Sequence, residues 1–152
     1  MSALARRWLA AATLALAACA APVTGEDLDA RLREVGRSVH GLGGKLEVFP
    51  ISADSQMAAW TLAVEAKETE PLPLARQLSR RMERAADRQL LLVAGGPYPS
   101  LTRRVVLDAL ALREGEALTG LVLVYVGNAD SARDVRTAAA ALDVRFVQRT
   151  LP

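Results

Sequence analysis

Two uninterrupted apolar runs, Leu90-Leu91-Leu92-Val93-Ala94 and Leu121-Val122-Leu123-Val124-Tyr125-Val126, constrain this chain more than anything else in it. Neither alternates with polar residues, so each strand needs cover on both faces, which is how strands of a parallel sheet read. Each run ends on a glycine, at Gly95-Gly96 and at Gly127-Asn128, and each is followed by apolar residues at helical spacing. Val105, Val106, Ala109, Leu110 and Leu112 follow Ser100, and Val135 to Leu142 follow Asp130 and Ser131, residues suited to cap those helices. Leu90 and Leu121 stand 31 residues apart, which makes a weak βα repeat. The helices supply the crossovers that parallel pairing requires. Val144 to Arg149 reads as a last strand whose arginines mark an edge position.

The first half of the chain has a different pattern. Thr24 offers an N-cap, Glu26 and Asp27 favour the positive end of a helix dipole, and Leu28, Leu32, Val35 and Val39 recur at helical spacing as far as His40. Gly41 is the expected stop. Leu46, Val48 and Pro50 then alternate with Glu47 and Phe49, and Trp60, Leu62, Val64 and Ala66 alternate with Thr61, Ala63, Glu65 and Lys67. With Ser52 to Ser55 as a turn, this period of two predicts an antiparallel hairpin. Pro71 and Pro73 open another helix, with Leu74, Leu78, Met82 and Ala85 on one side. The expected architecture is one α/β domain over residues 24–152. Its mixed five-stranded sheet joins the N-terminal hairpin to a βαβαβ parallel part, with helices flanking both.

At the N-terminus, Arg6 and Arg7 precede an apolar run from Trp8 to Ala18. As a helix this run covers only about half of a ~30 Å hydrocarbon core, so it reads as a secretory signal over residues 1–18 and not as a membrane span. Its end, Leu16-Ala17-Ala18-Cys19, resembles the lipobox of bacterial lipoproteins. The resemblance implies cleavage before Cys19, acyl chains on that cysteine, and an acylated tether over residues 19–23. From Ala20 to Val23 the tether reaches about 13 Å when fully extended. Ala20 after the cysteine resembles the outer-membrane sorting pattern of enteric bacteria. The implied location is the periplasmic side of the cell envelope, on the outer membrane in preference to the inner one.

Without residues 1–18 the 19 lysines and arginines lose Arg6 and Arg7, leaving 17 against 17 acidic residues. A neutral chain lacks the basic excess that nucleic-acid binding by phosphate neutralisation needs. Cys19 is the single cysteine and His40 the single histidine, so disulfides, cysteine nucleophiles and paired imidazole ligands drop out. No cofactor pattern is present, and the sequence points to no metal site. Two candidate sites remain. The turn at Gly95, Gly96 and Ser100 sits where α/β proteins place ligands, and a small hydrolase or ligand-binding protein would use it. Such a hydrolase would need His40 beside Ser100 as its base. Arg76, Arg80, Arg84 and Arg88 recur every fourth residue and form a band along one helix, suited to an anionic partner. The favoured expectation is a non-enzymatic envelope lipoprotein that binds a protein or glycan near its membrane.

Overall fold

The computed structural model describes residues 25–42, 44–65 and 70–152; the signal, Cys19 and the tether lie outside the described residues. In chain order they form α1 (Gly25–Ser38), a 3-10 turn (His40–Leu42), β1 (Leu46–Pro50), α2 (Gln56–Glu65), α3 (Pro73–Asp87), β2 (Leu91–Gly95), α4 (Pro99–Ala111), β3 (Val122–Val126), α5 (Ala129–Ala140) and β4 (Arg145–Arg149). The four strands make one sheet in the order β1-β2-β3-β4, and all three pairings are parallel. This corrects the expected mixed sheet of five strands. Leu46 to Pro50 has β2 as its parallel neighbour, and the segment carrying Trp60, Leu62 and Val64 is a helix.

Local chemistry explains the correction. Ser55 starts α2, its hydroxyl accepting from Ala58 N at 3.1 Å and its carbonyl accepting from Ala59 N at 2.9 Å. Gln56, Met57, Ala58, Ala59, Leu62 and Ala63 are all good helix formers, and they outweigh the period-two pattern of the same stretch. Capping positions also shift. Pro99 opens α4 at its first position, where a missing N–H costs nothing, so Tyr98 becomes the N-cap residue and Ser100 lies inside the first turn. At α5 the cap is Asn128, whose side chain accepts from Ser131 N at 2.9 Å.

The continuous strands bury two faces, as their sequence requires. One face sets Phe49, Leu92, Ala94, Leu123 and Tyr125 against Leu78 and Met82 of α3, Val105 and Val106 of α4, and Val135 of α5. The other sets Val48, Leu91, Val93, Val122, Val124 and Val126 against Leu28, Leu32, Val35 and Val39 of α1 and its turn. Among the described residues, the crossover helices therefore share one face, and α1 covers the other. α1 runs against the strand direction. Its Gly36 lies over Leu46 and Val93, and the carbonyl of Leu42 accepts from Arg145 at the start of β4, at 3.1 Å. The first residue of α1 thus lies toward the carboxyl end of the sheet.

Both sheet edges carry charge. Arg81 of α3 pairs with Glu47 on β1 and covers the Phe49 ring at 5.7 Å. On β4, Arg145 and Arg149 are exposed, and Arg136 lies 5.5 Å from the Phe146 ring. Such edges discourage further strand pairing.

Candidate functional site

The turn after β2 is built by close packing of backbone. Gly95 and Gly96 are buried, and a Cβ on Gly96 would stand 1.7 Å from the Ile51 carbonyl oxygen. A Cβ on Gly95 would meet Val126 at 2.4 Å. Glycine is required here because neighbouring chain fills the place where a Cβ would stand. Ser100 is exposed on α4 and, with Gln56, Ala59, Trp60, Tyr98 and Pro99, lines a cleft of about 110 Å³ between α2 and α4. That is well below the ~300–1,000 Å³ of ordinary small-molecule sites.

His40 and Ser100 are not brought together. His40 lies in the turn that holds Leu42 against the start of β4, at the amino end of the strands, whereas Ser100 follows the carboxyl end of β2. Among the described residues the sheet also has no switch point, because the strand order is sequential and the crossover helices stay on one face. Open parallel sheets form their ligand crevice where crossovers change face. Among the described residues no group of three or more His, Cys, Asp or Glu is placed to hold a metal ion.

The same carboxyl end carries a buried polar pair that composition alone did not reveal. Tyr125 is fully buried, and its hydroxyl lies 2.8 Å from Ser131 Oγ, which also donates to the Asn128 carbonyl at 3.1 Å. Burial raises the phenol's pKa above its ordinary value, and the Ser131 hydrogen bond and the charge of Arg103 oppose this only in part. The pair fixes the β3–α5 connection. The Gly127 backbone lies over the Tyr125 ring, too close to admit a Cβ.

The arginine band has a different character. Ala75, Leu78, Ser79, Met82 and Ala85 are buried, and at 100° per residue Arg76, Arg80, Arg84 and Arg88 are centred on the opposite side of α3. All four are exposed. The flanks of the band are tied down, by Arg81 to Glu47 on one side and by Glu83 to Arg113 at 3.0 Å on the other. Arg113 is held further by Ser79 Oγ at 2.7 Å and Glu116 at 3.3 Å. Between these flanks, Arg76 has a loose 3.6 Å pair with Glu70 and Arg80 reaches only the Arg76 carbonyl, at 3.4 Å. Arg84 and Arg88 have no acidic partner among the described residues, and Asp87 is the acidic residue on the same outer face. A hollow of about 410 Å³ lies over this face, lined by Gln77, Arg80, Arg81, Glu83 and Arg84.

No family model, curated protein or solved structure matches this chain. Its functional reading therefore rests on its own residues.

Proposed function

We propose that this chain is a lipid-anchored binding protein of the bacterial envelope, held by Cys19 on the periplasmic side of the outer membrane. It acts by docking an acidic partner protein onto the outer face of α3. The observation that carries the reading is the contrast along that helix. Arg81 is tied to Glu47 and Arg76 loosely to Glu70, while Arg80, Arg84 and Arg88 are exposed without an acidic partner among the described residues. Four guanidinium groups every fourth residue repeat at about 6 Å along a rigid helix. Each presents forked donors suited to a carboxylate. A folded acidic surface with the same repeat is the matching shape.

The test is reversal of charge at two exposed positions. Arg80→Glu with Arg84→Glu should leave the melting temperature nearly unchanged, since exposed substitutions of this kind shift stability by about 0.5 kcal/mol or less. The variant should lose a stoichiometric partner that the unaltered acylated protein retains from detergent-solubilised membranes. Capture should also weaken as salt is raised. A partner kept in full by the reversed variant refutes the assignment of this face.

A further inference from the structure

Among the described residues, most of the exposed large apolar side chains lie on α2. Among its described side chains only Ala59 is fully buried, packed at the start of α4. Met57 is 70% exposed, Trp60 55% and Val64 39%, and at 100° per residue these three share the side opposite Ala59. Leu62, on the other side of the helix near Ala59, is 38% exposed. From Gln56 through Val64 there is no charged residue. A contiguous apolar face of this kind on a small domain marks a contact site.

Its place in the fold indicates what covers it. Only five residues lie between Cys19 and Gly25, so a cysteine held in the bilayer keeps the start of α1, six residue steps on, within about 20 Å of it. The start of α1 lies at the carboxyl end of the sheet. α2 leaves β1 at that same end and packs beside Pro99 and Ser100 at the start of α4. The anchored end of the molecule and its exposed apolar helix are therefore the same end. A tryptophan flanked by Met and Val, with no charge to desolvate, suits the boundary between headgroups and acyl chains.

We propose that α2 lies on the lipid surface, with Met57, Trp60 and Val64 inserted at the interface as a second contact beside the acyl chains of Cys19. The proposal rests on the lipid-anchor reading and extends it. It also orients the arginine band. α3 ends at Asp87, just before β2 begins, so Arg88 is at the far end of the sheet and the band climbs about 18 Å away from the bilayer. That exceeds the ~8 Å screening length at physiological salt, which leaves Arg84 and Arg88 facing a protein and not lipid headgroups.

Trp8 belongs to the signal, so cleavage before Cys19 leaves Trp60 as the single tryptophan and a built-in reporter. The mature acylated protein should be reconstituted into phosphatidylcholine vesicles with and without acyl-chain bromination. The expected result is emission at shorter wavelength than that of the unacylated Cys19→Ser protein in buffer, with clear loss of intensity on brominated vesicles. Met57→Glu with Val64→Glu should restore the long-wavelength, unquenched emission while the protein stays on the vesicles. If mass spectrometry finds acyl chains on Cys19 but Trp60 is neither shifted nor quenched, the α2 inference is overturned, the anchor stands, and the face belongs to a protein partner. If Cys19 carries no acyl chains, the anchor reading falls and this inference falls with it.

Discussion

Gly96→Ala tests whether the glycine turn after β2 exists for packing. The new Cβ would stand 1.7 Å from the Ile51 oxygen and 2.8 Å from its carbonyl carbon, where ordinary contact requires about 3.5 Å. Ile51 cannot yield easily. Its side chain is fully buried, and its N–H donates to the Gly95 carbonyl at 2.8 Å. Overpacking of this kind costs about 1–3 kcal/mol, and weakening the pinned hydrogen bond adds about 1 kcal/mol, for a total of about 2–4 kcal/mol. At roughly 2–4 °C per kcal/mol, the melting temperature should fall by about 10 °C. Gly41→Ala is the control, because nothing lies within 4 Å of its Cβ position, so its melting should change little or rise. Thermal unfolding followed by circular dichroism gives both values. If Gly96→Ala melts with the Gly41→Ala control, the crossing of Ile51 over Gly96 is not what requires glycine, and the packing argument fails.

Tyr125→Phe should cost about 1 kcal/mol in urea unfolding at neutral pH, since Ser131 keeps its bond to the Asn128 carbonyl. Because burial raises the phenol's pKa, the native state retains a proton that the unfolded chain releases above pH 10; this contribution is intact below pH 10 and fades as pH climbs past it. The Phe variant should flatten that alkaline decline, and an unchanged pH profile would count against it. Arg113→Ala removes the partner of Ser79, Glu83 and Glu116 and should destabilise by about 1–3 kcal/mol, measured by chemical denaturation; a neutral result would show that the α3–α4 seam does not depend on it.

The sequence made the parallel half of the fold legible for a plain reason. β2 and β3 are buried on both sides, so their apolar runs are continuous and admit few alternatives. β4 was readable from its flanking arginines, and α3 from four apolar positions at helical spacing. α2 was misread because Trp60, Leu62 and Val64 alternate like a strand, while what decides their state is Ser55 capping and alanine content. Pattern also equates apolar with buried, and here Met57 and Trp60 are exposed, so the feature that marks α2 as a contact surface is the one periodicity hides. Helix starts shifted where Pro99 overrode Ser100 and where Asn128 reached Ser131 first. The arginine band was visible as spacing, but which arginines are occupied depends on Glu47, Glu83 and Asp134, residues distant in sequence from their partners.

The strand order also bears on how the domain is assembled. Every strand pairs with the one made just before it, across separations of 45, 31 and 23 residues for the three registers that begin at Leu46, Leu91 and Val122. Closure cost grows with the logarithm of loop length, so the longest of these loops costs only about 0.6 kcal/mol more than the shortest. No strand must wait for a later one to be inserted between it and its neighbour. A chain emerging N-terminus first can therefore add one βα unit at a time to a growing edge. The charged edge of β4, with Arg145 and Arg149 outward, ends that growth.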